Sequence, residues 1–278
     1  MRQPSEKQAL SLIPQAIARV LQESSIATLA TLIEGPRGVG AKLLIEETGE
    51  RTGSLTDPEL DEAVARQAQL FLASRAEAKT FRVEELGCVN AQWRAARVLF
   101  ERIEPEPHLV ICGAGHVGVA LATLARMVGY RTTLIDDRAD FLARERFPDS
   151  EIELVHASDW TTAVRERVGH GRGVSIAVVT RGHNEDEECL RAAIKARPDY
   201  LGLIGSKRRT GIVLERLRET GAEESLLREV RAPIGLDIGA VTPAEVALAI
   251  LAEIVAERRG GTGAPLSAWR REGMKEGN

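Results

Sequence analysis

One stretch, residues 108–118, constrains the fold of this chain more than any other. The apolar run HLVIC is typical of a buried strand, and it leads directly into the glycine turn GAGHVG. The next run, residues 119–128, favours a helix that ends at Gly129, and residues 130–136 are typical of a second strand. The stretch therefore predicts a strand, a tight glycine turn, a helix and a second strand in succession.

The three glycines of this turn have separate predicted roles. Gly113 permits the tight turn, Gly115 lets a ligand approach the backbone, and Gly118 lets the helix pack closely against the strand. The free N–H groups and the partial positive charge at the start of the helix suit an anion. Asp136 ends the second strand 18 residues after Gly118, as in a dinucleotide-binding unit. We predict a Rossmann-type βαβ unit, and the alternative is an ordinary glycine loop.

The composition indicates a globular chain without a nucleic-acid or membrane partner. Its 278 residues are 44% hydrophobic and 28% charged, and its net charge of −4 does not provide the basic surface that nucleic acids require. No run approaches the roughly 18 apolar residues of a membrane span, and the first residues lack the apolar core of a signal peptide. Cys88, Cys112 and Cys189 have no metal-binding spacing. We therefore expect a cytoplasmic protein without a disulfide framework.

Periodicity and a proline-containing linker divide the chain. Residues 1–104 predict a small α+β domain, with helices near 5–23 and 57–73, strands near 26–33, 41–47, 79–84 and 94–103, and a hairpin-like turn at 48–50 that leads to residues 51–55. The segment EPEPH at 104–108 is typical of an extended linker. Residues 105–259 are the second predicted domain, and residues 260–278 are a predicted flexible tail.

Strands alternate with helices in the second domain. Further strands are predicted at 152–157, 174–180 and 200–205, with helices at 159–168, near 186–196, near 207–219, and from a capping box at Thr242. Near-continuous apolar strands separated by helices indicate a parallel sheet that is covered on both faces. The predicted fold class is α/β, a C-terminal Rossmann-like doubly wound parallel sheet preceded by a smaller α+β domain.

Two histidines are predicted to meet where the strand order of this sheet reverses. In a doubly wound sheet the ligand lies beyond the strand carboxyl ends, between the first and the fourth strand. His116 lies in the loop after the first strand, and the loop after the fourth strand contains Arg181, His183 and Asp186. Two of only five histidines are therefore expected at one crevice. The alternative is that each histidine only hydrogen-bonds its own loop.

The loop after the fifth strand is a further candidate. Gly205, Ser206 and Lys207 open a helix whose first turn carries several cations. Cations there oppose the helix dipole unless an anion is held beside them. The alternative is a solvated basic face.

Two carboxylates and an arginine complete the candidate residues. Asp136 is placed to accept hydrogen bonds from ribose hydroxyls, and Arg138 is suited to an added phosphate. The alternative is an ordinary turn at the end of the strand. Asp237 lies in the glycine-marked loop PIGLDIG, where it either lines the crevice or braces the turn.

Together these motifs resemble those of the XdhC/CoxI proteins, which are accessory factors of molybdenum hydroxylases such as xanthine dehydrogenase. The resemblance is strongest between His108 and Arg259, in GAGHVG (113–118), DDR (136–138), TRGHNED (180–186), GLIGSKR (202–208), PIGLDIG (233–239) and TPAE (242–245). A weaker resemblance extends into the first domain, at PRGVGAK (36–42) and Gly53-Ser54.

The resemblance implies a protein that binds the molybdenum cofactor, protects it, aids its sulfuration and delivers it to a hydroxylase of the xanthine dehydrogenase type. A cysteine desulfurase is a further implied partner, and a homodimer is the expected assembly. The implied cofactor-binding residues are Gly113, Gly115, His116, Gly118, Asp136, Arg138, Arg181, His183, Asp186, Gly205, Ser206, Lys207 and Asp237. His116 and His183 are also candidates to lie near the metal.

One segment departs from the family pattern. After Gly53-Ser54 the family usually continues into a glycine-rich stretch, often with cysteine and then glutamate, whereas this chain continues with LTDPELD at 55–61. Proline and bulky side chains do not offer the same approach to the backbone. Cofactor and sulfur handling by this segment therefore stay open.

Two other functions also stay open. One is an oxidoreductase that uses NAD(P), with His116 or His183 as its acid–base residue, and the other is a nucleotide-sensing regulatory module. Residues 1–104 contain no histidine and only one cysteine, which weakens the oxidoreductase hypothesis because a dehydrogenase is expected to hold a catalytic group outside its Rossmann domain. A cofactor-insertion chaperone is the favoured function, and whether the protein is an enzyme is left open.

Overall fold

The computed structural model describes residues 6–74, 76–87, 90–147, 149–169 and 171–267, with side chains described from residue 12. The chain divides into two compact units, Met1–Pro105 and Glu106–Asn278, which we call unit 1 and unit 2. Each unit has its own hydrophobic core.

Unit 1 is built on a five-stranded antiparallel sheet. Its elements are α1 (Glu6–Gln22), β1 (Ala27–Glu34), β2 (Lys42–Glu46), β3 (Arg51–Ser54), α2 (Pro58–Ala73), β4 (Ala78–Arg82) and β5 (Arg97–Ile103). The strands are ordered β3-β2-β1-β5-β4. Side chains alternate between the two faces of a strand. Leu29 on β1 therefore packs in the cluster formed with α1, and Leu32 packs in the cluster formed with α2.

Unit 2 alternates strands with helices. Its elements are β6 (His108–Cys112), α3 (His116–Met127), β7 (Arg131–Asp136), β8 (Glu153–His156), α4 (Trp160–Val168), β9 (Val174–Val178), α5 (His183–Ile194), β10 (Tyr200–Leu203), α6 (Lys207–Glu219), α7 (Glu224–Glu229) and α8 (Pro243–Arg259). All pairs between its strands are parallel, in the order β10-β9-β6-β7-β8.

Helices cover both faces of this parallel sheet. Ile111 on β6 packs in the cluster formed with α3 and α8, whereas its neighbour Val110 packs in the cluster formed with α4, α5 and α6. The strand order reverses at β6, since Cys112 pairs with Ile135 of β7 on one side and Val178 of β9 on the other. The predicted α/β fold with a doubly wound parallel sheet is confirmed.

Several predicted boundaries are wrong by a few residues. β9 and β10 end at Val178 and Leu203, two residues before their predicted ends, and α5 begins at His183 rather than near residue 186. Asp186 consequently lies in the first turn of a helix and not in the loop before it. The short helix α7 and two 3-10 turns after β7 were not predicted, because such short segments carry little periodicity.

The cysteine and tail predictions are tested only in part. Cys112 and Cys189 are buried free thiols, whereas Cys88 and the tail beyond residue 267 lie outside the described residues. Among the helices that the structure describes, none is long and apolar enough to cross a membrane.

Candidate functional site

The predicted site residues lie mainly in the loops, and in the strand end and first helical turns beside them, at one edge of the parallel sheet in unit 2. The carboxyl ends of parallel strands point to the same edge, and ligands of doubly wound sheets bind there. Loops 113–115, 137–138, 179–182 and 204–206 follow β6, β7, β9 and β10, and Asp136 is the last residue of β7. We call these four loops the carboxyl edge.

The glycine turn after β6 holds α3 close to its strand. The Gly113 N–H donates to the carbonyl of Ile135, with N···O 2.7 Å, and its φ of +117° favours glycine. A Cβ at Gly113 would lie 2.6 Å from the carbonyl oxygen of Val179, and a Cβ at Gly118 would lie 1.8 Å from that of Gly113. These two glycines are thus required by the packing of the turn itself.

Gly115 has a different environment from the other two glycines. A Cβ at this position would meet no atom within 4 Å, and the backbone φ is −69°. Gly115 is the N-cap residue of α3, and no side chain caps this helix end. Uncapped N–H groups at a helix start attract anions, and the space beside them is open, so anion binding at this point stays a prediction. We call this feature the anion seat.

His116 and His183 occupy corresponding places at the carboxyl edge. Each is the first residue of its helix, α3 or α5, and each is exposed. Gly182 precedes His183 as the N-cap of α5, which likewise has no side-chain cap. The two helices pack on opposite faces of the sheet, as they do on the two sides of a switch point. That the two imidazoles open into one pocket stays a prediction.

The Asp136 carboxylate braces the glycine turn. Its Oδ2 accepts from the Ala114 N–H at 2.6 Å and from Arg138 Nη2 at 2.8 Å, and its Oδ1 accepts from Arg138 N at 2.9 Å and Arg138 Nε at 2.8 Å. Burial of the carboxyl opposes ionisation, but these hydrogen bonds outweigh it, so the pKa of Asp136 lies below its ordinary value. At neutral pH the Asp136 side chain is therefore ionised, and it points into the protein interior.

An ion pair spans the carboxyl end of β6. Arg181, after β9, reaches Asp137, after β7, with Nη2···Oδ2 3.0 Å, and β6 lies between these two strands. Arg181 also lies 3.6 Å from Glu185. The Arg181 side chain is about half exposed, so the pair adds little stability and is free to exchange partners. Arg181 is therefore available to a bound anion at the edge.

Asp186 is a buried structural acid. Its Oδ1 accepts from the Thr180 hydroxyl, and its Oδ2 lies 2.6 Å from Arg209 Nη2 on α6. Burial raises the pKa of Asp186, and the two donors oppose that effect. Because Asp186 is fully buried, the structure uses it to hold the start of α5 against α6.

In the basic first turn of α6, some groups are already used by contacts within the protein and others are exposed. Ser206 caps the helix, since its hydroxyl accepts from the Arg209 N–H at 3.2 Å, and Arg209 itself turns inward to Asp186. Gly205 has a φ of +146°, and Lys207 is exposed at the start of the helix. The predicted anion-binding role of Gly205, Ser206 and Lys207 stays a prediction.

Glu253, which the sequence analysis did not single out, braces the loop that contains Asp237. Glu253 Oε2 accepts from the Gly235 N–H at 2.8 Å and from the Tyr200 hydroxyl. Asp237 itself is exposed. The contact joins β10 to the fourth turn of α8, and no local pattern in the sequence indicates it.

No set of three or more histidine, cysteine or acidic side chains that could hold a metal ion occurs among the described residues. The edge therefore offers backbone N–H groups, exposed imidazoles and cations to a ligand.

Comparison with known proteins identifies the family. Residues 109–254 match the XdhC Rossmann domain, which is more than half of the chain, and residues 20–84 match the XdhC and CoxI family. The chain belongs to the XdhC family. The resemblance seen in the motifs is thereby confirmed, and all thirteen predicted site residues lie within the matched XdhC Rossmann domain.

Three curated proteins are similar to this XdhC chain. An uncharacterised protein YqeB of Escherichia coli K12 is 37% identical over 54% of the chain. A probable xanthine dehydrogenase subunit of Bacillus subtilis 168 is 28% identical over 60%, and the molybdenum cofactor insertion chaperone PaoD of Escherichia coli K12 is 29% identical over 63%. The aligned parts span 27%, 47% and 48% of these relatives' own lengths.

A solved structure shares the fold of this XdhC chain. A xanthine dehydrogenase from Bacillus halodurans aligns with 92% of the chain and 98% of its own, with a TM-score of 0.50 at 17% sequence identity. At this identity the match shows a common fold alone.

Proposed function

We propose that this XdhC protein is an accessory factor that binds the molybdenum cofactor and serves a molybdenum hydroxylase of the xanthine dehydrogenase type. Membership of the XdhC family supports an accessory role, and so do the relatives named as a cofactor insertion chaperone and as a probable part of a xanthine dehydrogenase. Protection of the cofactor, help in its sulfuration and its delivery are the steps we assign to the protein. A cysteine desulfurase and a second copy of the chain are proposed partners.

The anion seat is the observation that carries the proposal. The uncapped start of α3, with open space where a Cβ of Gly115 would lie, suits the phosphate of a pterin cofactor. Exposed Arg181 adds a cation at the same edge. The N–H groups and the cation at the carboxyl edge therefore fit the phosphate end of the cofactor.

The two exposed histidines suit the other end of the cofactor. An imidazole either binds a metal directly or hydrogen-bonds its oxygen and sulfur ligands. When bound, the cofactor supplies the molybdenum chemistry of the hydroxylase, and His116 and His183 orient it while α3 holds the phosphate. This division of roles requires no acid–base catalyst from the chain, so the protein acts as a carrier.

Anaerobic binding of isolated molybdenum cofactor tests the proposal. Gly115→Val should abolish binding, since the added side chain occupies the seat, and His116→Ala and His183→Ala should each weaken binding about tenfold or more. His156→Ala is the matched control, because His156 is an exposed histidine at the end of β8, two strands from β6, and its ring contacts the main-chain carbonyl of Asp137 rather than the anion seat. Undiminished binding by folded Gly115→Val would contradict the proposed site.

A further inference from the structure

Dinucleotide-binding sheets use the end of their second strand to recognise the nucleotide ribose. A carboxylate there accepts from the ribose hydroxyls of NAD, and a nearby arginine accommodates the extra phosphate of NADP. Asp136 and Arg138 occupy these places at the end of β7. Their contacts therefore bear directly on which ligands the site accepts.

Asp136 has no acceptor capacity left for a ribose. A carboxylate offers about four lone-pair sites on its two oxygens. Asp136 already receives four hydrogen bonds, one from Ala114 and three from Arg138, at 2.6–2.9 Å. Its side chain is only 1% exposed.

The guanidinium group of Arg138 is likewise in contact with the protein along its N–H edge and on its flat face. Two of its N–H groups form a fork on Asp136, and its guanidinium carbon lies 3.5 Å from the centre of the Phe141 ring. Arg146 also lies over Phe141, at 4.9 Å, and donates to the carbonyl of Ala114 at 3.3 Å. The segment after β7 is thus tied to the glycine turn by two separate contacts.

The two arginines at this place are already paired with carboxylates. Arg138 pairs with Asp136 at 2.8 Å, and Arg181 pairs with Asp137 at 3.0 Å. Asp137 Oδ1 lies only 3.8 Å from Arg138 Nε. A phosphate placed here would meet a carboxylate beside an arginine that is already paired.

We propose that the Asp136–Arg138 ion pair is a selectivity device, which makes the site reject NAD(P) and accept a compact phosphomonoester at the anion seat. The inference rests on the proposed function for the identity of the accepted ligand. The exclusion of dinucleotides follows from the contacts of Asp136 and Arg138 alone. Arg138 acts through Asp136 and is a positioning residue.

Binding of NADH and NADPH, followed by fluorescence titration, tests this role. Arg138→Met frees one acceptor site on each carboxylate oxygen of Asp136 and keeps an unbranched side chain against Phe141. The variant should therefore bind NADH about tenfold or more tighter than the natural chain. Arg138→Ala is the second variant. Asp136→Asn in the Arg138→Met background should remove the gain, because the carboxylate that would receive the ribose is gone. Thermal unfolding of each variant establishes that it is folded.

Arg144→Ala is the matched control. Arg144 lies in the same segment, and it donates to the main-chain carbonyls of Asp149 and Ile152 instead of to a carboxylate. The control should bind NADH as weakly as the natural chain does. A folded Arg138→Met variant without any gain would overturn the proposal, since a merely structural ion pair would alter stability and not ligand preference.

Parallel anaerobic titrations with isolated molybdenum cofactor separate this proposal from the proposed function. The selectivity role is overturned if the natural chain binds NADH or NADPH tightly and Gly115→Val abolishes that binding. This holds even when the natural chain also binds the molybdenum cofactor. A natural chain that binds neither ligand, with a gain of NADH binding in Arg138→Met, supports the selectivity role and contradicts the proposed function.

Discussion

Replacing Gly118 by alanine should destabilise unit 2, whereas the same change at Gly115 should not. The added methyl group at Gly118 would lie 1.8 Å from the Gly113 carbonyl oxygen and 3.0 Å from its carbon. An ordinary contact needs about 3.4 Å, so the helix and the turn must separate by more than an ångström. Overpacking of this kind costs about 1–3 kcal/mol, and the obstructing atom belongs to the backbone, so we expect the upper end.

The gain in helix propensity from Gly to Ala offsets only about 0.5–1 kcal/mol of this cost. A net loss of about 2 kcal/mol in a unit of this size lowers Tm by about 4–8 °C. Gly115→Ala should keep the free energy of unfolding within about 0.5 kcal/mol, because its Cβ would meet no atom and its φ of −69° suits any residue.

Urea and thermal unfolding, both followed by far-UV circular dichroism, measure the two variants side by side. Equal losses at both positions would refute the assignment of Gly118 to packing and Gly115 to the ligand. An unchanged Tm for Gly118→Ala would show that α3 does not approach the turn as closely as described.

Two further predictions concern buried polar groups. Arg209→Ala should destabilise the chain by about 3 kcal/mol or more in urea unfolding, because it leaves the buried Asp186 carboxylate without its cation. The control is Arg208→Ala, which removes an exposed neighbouring arginine and should change the free energy of unfolding by less than about 0.5 kcal/mol. Burial and, to a lesser extent, the charge of Arg131 lower the pKa of His108 to about 4. The buried neutral imidazole therefore contributes its full stability above pH 6.5, the ordinary pKa of histidine. About 3 kcal/mol of the free energy of unfolding is lost as the pH falls toward 4. His108→Phe should flatten this part of the stability–pH profile, and an unchanged profile would contradict the buried neutral state.

Local patterns in the sequence were sufficient for most of the fold. The apolar strand at 108–112 and its glycine turn predicted β6 and α3, and Thr242 with Pro243 predicted the start of α8. These features depend on residues within one or two turns of each other, so periodicity and capping chemistry report them directly.

The directions of the site side chains could not be predicted in the same way. The motif DDR placed Asp136 at the correct strand end but did not show that Arg138 folds back and fills its acceptor sites. Asp186 is buried because it pairs with Arg209, 23 residues away, and Glu253 reaches Tyr200 across 53 residues. Such contacts depend on how α5, α6 and α8 pack on the sheet, which no short motif contains.

Transfer of the cofactor tests the central claim most directly. The purified chain is loaded anaerobically with molybdenum cofactor and offered to a cofactor-free xanthine dehydrogenase, with Gly115→Val and His156→Ala treated identically. We predict stoichiometric loading and higher hydroxylase activity with the natural chain and with His156→Ala, no gain with Gly115→Val, and no steady turnover of NADH or NADPH. Absence of loading, or hydroxylase activity no greater than with free cofactor, would contradict the account.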